Sequence, residues 1–328
     1  MRWFLGRLAF YVFALWLALT LAFLLPRVMP GDPIGGILQH LSPAQISANP
    51  GIIKTYETLL GGGHQSIFAA YWQYLHRVAH LNFGISTSNY PTTVSEVVGR
   101  TIPYSIVLVG LAFAMAFILG TTIGMVAAWR RGGKFDSIFV PIFMALSAFP
   151  AYFSALLLVY FLGLRLGWFP IDHAYGNNVV PGWSWSFIGS AITHGFLPAL
   201  TIVFVFAGGW VLNMRTVMIN TMGEDYVAMA NAKGLRDRRV MTRYAGRNAI
   251  LPPLNGFAAQ FATAGGGVIF IELVFSYPGA GYTFQQAALG NDYPLTQALL
   301  VIFAVCPIVA NLIMDVFNLV LDPRMRTA

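Results

Sequence analysis

Long apolar runs separated by short polar stretches organise this chain. A helix needs about 20 consecutive apolar residues to cross a bilayer. Six such spans can be drawn, at residues 8–25, 102–128, 138–164, 196–212, 254–275 and 298–321. Between the first two lies a long polar region, 29–101, in which Phe68, Tyr71, Trp72, Leu75 and Ala79 recur at helical spacing. That spacing predicts an amphipathic helix lying on the membrane or packed over the spans. Thr93-Val94-Ser95-Glu96 has the form of a capping box, so a short helix is expected ahead of the second span. Two uses fit the 29–101 region: a platform for an external partner, or a structural cap over the bundle.

The interruption at 213–253 differs from a plain linker. Thr221-Met222-Gly223-Glu224 fits the capping-box pattern, and Glu224 and Asp225 put negative charge in a first helical turn. Lys233 puts positive charge in the last turn, and Gly234 follows where a helix commonly ends in a left-handed residue. A short helix over 222–233 is therefore expected, with Tyr226, Met229 and Ala230 on one face at i, i+3 and i+4. A second, basic helical stretch carries Arg236, Arg238, Arg239, Arg243 and Arg247, and Leu251-Pro252-Pro253 should end it before the fifth span. Two helical pieces hinged at one glycine suit a protein-docking surface; a solvated loop touching anionic headgroups is the simpler alternative.

Composition agrees with a membrane protein. Of 328 residues, 57% are hydrophobic and 9% charged, against about 25% charged in soluble domains. The net charge of +7 is not a nucleic-acid signal, because the basic residues sit between apolar runs. With both termini cytoplasmic, Arg130, Arg131, Lys134, Arg215 and the 233–247 cluster fall inside, as the positive-inside rule requires. Arg2 and Arg7 precede a run too long for a signal peptide, with no small-x-small site after it, so the first span is expected to stay as an anchor. Trp168, Trp183 and Trp185 suit an outer aromatic belt.

Candidate chemistry is sparse. Glu272 and Asp315 lie in or near apolar spans, where an ionised carboxylate costs at least about 3 kcal/mol and normally faces a cavity or a partner. Together with Gln260 they are the candidates for a translocation pathway; a structural pairing fits them as well. Gly265, Gly266 and Gly267 suggest close helix approach, and Pro307 a kink. His76 and His80 are four apart without an evident third ligand, so no metal site is expected. Cys306 is alone in the chain. There is no G-x-x-x-x-G-K-[ST] phosphate loop, no H-E-x-x-H and no G-x-S-x-G, so neither ATP binding by that route nor hydrolytic chemistry is indicated.

The segment Asp225-Tyr226-Val227, with Ala230, Ala232-Lys233-Gly234-Leu235 and Arg247-Asn248-Ala249-Ile250-Leu251-Pro252, resembles the cytoplasmic "EAA" loop of permease subunits in ATP-binding-cassette importers. It looks like the dipeptide and oligopeptide branch. Pro30-Gly31-Asp32-Pro33, Asn82-Phe83-Gly84-Ile85-Ser86, Glu272 with the 275–281 stretch, Asp292-Tyr293-Pro294 and Leu321-Asp322-Pro323-Arg324 fit in the same order. Ala228 stands where the family usually has Glu, and Met229 where a small residue is usual. The stretch between Gly234 and Leu251 is also longer than in sugar importers.

The resemblance implies an all-α membrane protein with six transmembrane helices, the type I importer permease fold and both termini cytoplasmic. It implies three regions: 1–28 as tail and first helix, 29–101 as an extracytoplasmic loop, and 102–328 as a five-helix core containing the coupling loop 213–253. The expected function is a non-enzymatic transport subunit forming half of a peptide pathway. Oligosaccharide or nickel import on the same architecture is the alternative, and a stand-alone secondary transporter a more distant one. Expected partners are a second homologous permease, two cytoplasmic ATP-binding subunits that hold ATP and Mg, an extracytoplasmic binding protein and the lipid bilayer. The implied ATPase-coupling residues are Tyr226, Met229, Ala230, Lys233, Gly234, Leu235, Arg243, Arg247, Leu251 and Pro252.

Overall fold

A computed structural model describes residues 2–28 and 66–321. Among these residues the chain is helical, without a β-strand; one isolated bridge joins Ile85 and Thr93. In a bilayer this is the expected solution, since a helix satisfies its own backbone hydrogen bonds. The Pro30–Pro33 motif, Lys54, His64, Arg324 and Arg326 lie outside the described residues. Three helices are long and apolar enough to cross a membrane, or four if one bent pair counts as a span.

Two compact units divide the described residues. The first contains α1 (Arg2–Val28), α2 (Ile67–Ala79), the start of α3 (Val94–Trp129) up to Tyr104, and a C-terminal segment, 279–309. α2 is the expected amphipathic helix, capped by Ser66, whose hydroxyl accepts from the Ala69 N–H at 3.3 Å. Its buried face differs from the expected one. Tyr74 is buried, with Tyr71, Leu75 and Val78 half-buried against Ala22 and Phe23 of α1. Phe68 and Trp72 point away and are exposed. The Tyr71 hydroxyl also meets Thr20 at 2.7 Å.

Asp292 is the polar centre of this unit and is fully buried. It accepts from the Ser86 hydroxyl, from the Ser88 N–H at 3.0 Å and from the Leu295 N–H at 3.1 Å. It thereby caps α10 (Tyr293–Leu321), following α9 (Ala280–Leu289), and ties the 82–88 turn to it. Pro307 lies inside α10. The Thr93–Glu96 box is half formed. The Thr93 hydroxyl accepts from the Glu96 N–H at 3.3 Å, but the Glu96 carboxylate turns to Arg100 at 2.5 Å. No separate short helix precedes the second span, because α3 runs unbroken through Pro103.

The second unit holds the rest of α3, then α4 (Lys134–Ala148), α5 (Ala151–Leu158) with a π-helical turn at Val159–Arg165, α6 (Trp185–Met222), α7 (Asp225–Ala232) and α8 (Leu251–Val274). The expected third span is not one helix. α4 and the helix after it turn through 105° at Phe149-Pro150, because Pro150 holds an extended backbone and caps the new helix. α6 is the central helix: half of its apolar window is buried, against a third for α3.

The backbones of α3 and α6 approach closely at two glycines spaced four apart. A Cβ on Gly120 would lie 2.5 Å from Trp210 Cβ and 2.7 Å from the Ala207 carbonyl, and one on Gly124 would collide with the Val211 carbonyl. Gly208 does the same for α6 against Phe143 and Ser147 of α4. The expected close approach at the fifth-span glycines is not seen at two of them: nothing lies within 4 Å of a Cβ on Gly266, and Gly267 meets Ala151 at an ordinary 3.8 Å, while the surroundings of Gly265 lie outside the described residues. Around the α3–α6 contact, Phe113, Phe117, Phe206, Phe257 and Phe261 surround buried Trp210 mostly edge-to-face, a favourable arrangement for aromatic rings.

Replacing Gly124 with leucine should force α3 and α6 apart and cost about 3 kcal/mol or more, since overpacking a tight contact cannot be relieved when the opposing atom is backbone. Gly110→Leu, on the same helix with nothing within 4 Å of its added carbon, should cost little. Thermal unfolding of both variants in detergent checks the difference; equal stability would contradict the close approach.

Candidate functional site

The 213–253 segment forms one packed body on the ends of α3 and α6. α6 ends at Met222, and Gly223 and Glu224 turn the chain into α7. The expected Thr221 cap is not formed: Thr221 belongs to the last turn of α6 and its hydroxyl donates to the Val217 carbonyl at 2.9 Å. Glu224 occupies the cap position in extended conformation without a side-chain hydrogen bond, so α7 begins at Asp225 rather than Met222. Its end matches expectation. Lys233 is the C-cap, and Gly234 follows at φ +68°, donating to the Asn231 carbonyl at 2.9 Å.

An eight-residue helix is too short to be stable alone. Packing holds it. Val227 and Ala230 are buried against Met214 and Met218 of α6, Ala128 of α3, and Val240, Ala245 and Ala249 of the following helical stretch. Each fully buried large apolar side chain in such a cluster contributes about 1.5–3 kcal/mol as an upper estimate. The 237–249 stretch contains a π-helical turn at Val240–Ala245. Its buried positions are spaced five and then four apart, so the widened turn keeps Val240, Ala245 and Ala249 facing the same core. Pro252 and Pro253 open α8 rather than end the preceding helix. In a first turn their missing N–H groups cost nothing.

This packing separates the residues expected on one face. Ala230 is 2% exposed and faces inward, whereas Tyr226 is 38% and Met229 60% exposed. Lys233, Gly234, Arg243, Arg247, Leu251 and Pro252 are exposed as well, and Leu235 is half-buried against the cluster. The outward surface of α7 is thus Tyr226, Met229 and Lys233 at helical spacing. Ala230 and Val227 form the root that fixes it.

An ion pair that sequence reasoning missed braces the neighbouring turn. Arg215 on α6 makes a two-pronged contact with Asp136 in the first turn of α4: Nε to Oδ1 at 2.6 Å and Nη2 to Oδ2 at 2.8 Å. The Gly132 N–H adds 3.1 Å to Oδ2, with Gly132 at φ +75°. The signal was present: Asp136 is the one acid in a turn that carries Arg130, Arg131 and Lys134, and Arg215 the one charge in the long apolar helix α6.

Of the pathway candidates, Glu272 and Gln260 are described and lie apart on one helix. Glu272 is buried near the C-terminal end of α8, and its Oε1 accepts from the Ser105 hydroxyl at 2.5 Å. Gln260 is half-buried on the same helix, twelve residues earlier and so about 18 Å along the axis. Asp315 is carried by α10, and its side chain lies outside the described residues. His76 and His80 stack at 4.4 Å, with His80 Nδ1 on the His76 carbonyl at 2.8 Å. Among the described residues no three His, Cys, Asp or Glu side chains group as metal ligands.

Apolar helices packed through small residues, with a polar helical segment between two of them, define an α-helical membrane protein. Residues 120–327 match the family described as the binding-protein-dependent transport system inner membrane component, and the chain belongs to that family. It is therefore a transport component of the inner membrane rather than an enzyme. Similar proteins include one from Brucella suis biovar 1 that carries the name peptide permease protein, 31% identical over 94% of each chain. The chain is also similar to the oligopeptide transport system permease proteins AppB of Bacillus subtilis (29% identical, 93% of each chain) and OppB of Escherichia coli (29% identical, 95% of each chain).

Asp136→Asn should leave the Arg215 guanidinium without its partner and destabilise the protein by about 3 kcal/mol, the usual cost of breaking one side of a largely buried pair. Arg215→Gln alone should cost a similar amount, and the double variant less than the sum. A double-mutant cycle on thermal unfolding checks this; additive effects would show that the two side chains act independently.

Proposed function

We propose that this chain is one of two permease subunits of an ATP-driven peptide importer, with the 213–253 segment as its contact with a cytoplasmic ATPase. The observation that carries the proposal is the two-sided character of α7. Its Val227–Ala230 side is rooted in the same cluster as Met214 and Met218 of α6, while Tyr226, Met229 and Lys233 remain outward. A helix so rooted can transmit force to a membrane helix without bending away. The names of the similar proteins from Bacillus subtilis and Escherichia coli support peptides as cargo.

In this proposal six helices cross the membrane and both termini are cytoplasmic, with an anchor at 1–28, an extracytoplasmic region at 29–101 and a core at 102–328. The basic bias of the 129–137 and 213–253 regions supports that orientation. The other partners are a second homologous permease and an extracytoplasmic binding protein that delivers the substrate. ATP and Mg belong to the two ATPase subunits. Tyr226 and Met229 would seat in a groove of the ATPase, with Lys233, Leu235, Arg243 and Arg247 around them. Gly234 sets the angle at which α7 leaves the basic stretch, and Leu251-Pro252 begins the membrane helix that receives the motion. Glu272 and Gln260, on that helix, are the residues of this chain proposed to border the pathway, with Asp315 on α10.

Gly234→Val tests the lever. Space is available around Gly234, so the change acts through its left-handed backbone alone, at about 1–3 kcal/mol. Peptide uptake should fall at least about tenfold while the amount of inserted protein stays constant. Gly234→Asn, which tolerates that conformation, should retain most uptake. Tyr226→Ala with Met229→Ala should abolish co-purification of the ATPase. Full uptake by Gly234→Val, or undiminished ATPase recovery by the double variant, would refute the assignment.

A further inference from the structure

α2 meets α1 at a defined depth. The Tyr71 hydroxyl lies 2.7 Å from that of Thr20, and the Tyr71 and Tyr74 rings sit 5.1 and 5.4 Å from the Phe23 ring. Thr20 and Phe23 belong to the apolar stretch of α1, Ala9–Leu25, five and two residues before its end. At 1.5 Å per residue they lie about 3–8 Å inside that end. α10 arrives at the same level from its own start. The Gln297 amide, four residues into that helix, donates to the Ala22 carbonyl at 3.2 Å, and Val301 joins the same cluster as Phe23 and Tyr74. The contact residues of α2 therefore reach below the limit of the apolar surface of α1.

Around its own axis α2 has three sides. At about 3.6 residues per turn, Tyr71, Tyr74, Leu75 and Val78 share the side packed on α1. Phe68 and Trp72 follow on the flank next to Leu75 and are 82% and 73% exposed. Gln73, His76 and His80 occupy the remaining side and are exposed. Over the same levels α1 leaves Leu17, Leu21, Leu24 and Leu25 exposed, a surface that in a membrane helix meets acyl chains. Phe68 and Trp72 are large apolar groups held at that depth by the Tyr71 and Tyr74 contacts. A soluble partner reaches only what stands above the headgroups.

We propose that α2 is seated in the boundary between lipid headgroups and acyl chains, with Phe68 and Trp72 inserted among the chains and Gln73, His76 and His80 toward headgroups and water. An apolar flank that carries a tryptophan beside a polar side is what this boundary selects. Seated there, α2 holds the end of α1 at a fixed depth. It also sets the height of the 82–88 turn that follows it, which brings Ser86 and Ser88 to Asp292. This placement rests on α1 crossing the membrane, as proposed above. In that orientation the leaflet is the outer one; the depth is the same in either.

The full-length chain with Cys306→Ser and one of Phe68→Cys, Trp72→Cys, Gln73→Cys or Leu17→Cys is spin-labelled and reconstituted in phosphatidylcholine vesicles. Each replaced side chain is exposed, so the labels leave the core intact. Electron paramagnetic resonance compares collisions with oxygen, which concentrates among acyl chains, and with a water-soluble nickel chelate. The labels at 68 and 72 should report a depth of about 5–10 Å into the boundary. The label at 73 should report the level of the phosphates or above. Nickel-chelate access at 68 and 72 equal to that at 73 would overturn the proposal and leave this flank as a platform for a soluble partner. Poor access by both reagents would overturn it as well, since another protein surface would then cover the flank. The Leu17 label separates this proposal from the crossing of α1. If it is deep while 68 and 72 are in water, only the seating of α2 fails; if it is itself in water, α1 does not cross and the seating fails with it.

Discussion

The close approach of α3 and α6 governs the second unit. Lipid tails are as apolar as leucine, so helices in a bilayer gain little from burying apolar surface and associate instead through packing. Gly120 and Gly124 remove the side chains that would hold the backbones apart, and Trp210 fills the space beside them. The contact then continues along both helices. One and two turns further on, Met214 and Met218 of α6 and Ala128 of α3 form the floor on which Val227, Ala230 and the 240–249 residues rest. A change in the spacing of α3 and α6 would therefore move the floor of α7 directly, with no loop between to absorb it.

Polar side chains within these units are few, and the buried carboxylates are each satisfied. Asp136 takes a guanidinium and a backbone N–H. Asp292 takes two N–H groups and a hydroxyl, and Glu272 a hydroxyl. An unsatisfied carboxylate in such surroundings costs several kcal/mol, so these groups constrain geometry strongly. Asp292 joins two stretches that lie two hundred residues apart, the turn around Ser86 and the start of α10. Each stretch reads as a weak motif by itself. They meet at one carboxylate, which fixes the turn against the start of α10.

Much of this was legible in the sequence because bilayer helices declare themselves by length and apolarity. Gly234 was legible for a similar reason, since the left-handed end of a helix needs a particular residue. The misreadings share a cause. A four-residue pattern such as Thr221–Glu224 fits a helix start, but here the preceding helix simply continued through it, a choice made by the packing of Met214 and Met218 below. The glycines at 266 and 267 and those at 120 and 124 are equivalent in composition; only the presence of Trp210 and Val211 opposite decides which pair is crowded. The Asp136–Arg215 pair spans seventy-nine residues, beyond the reach of local pattern, although each partner was anomalous in its own neighbourhood.

The same packing holds α7 in place with a neutral residue, Ala228, at its middle. An acidic side chain is one way to fix a short helix, through a charge pair at its base. Here Val227 and Ala230 root the helix in an apolar cluster, and the charge nearby is carried by arginines on the next stretch. Ala228 is exposed and neutral, and the acidic residue of α7 is Asp225 in its first turn. The guanidinium groups stay at the surface, and among the described residues none of them is consumed by an internal pair.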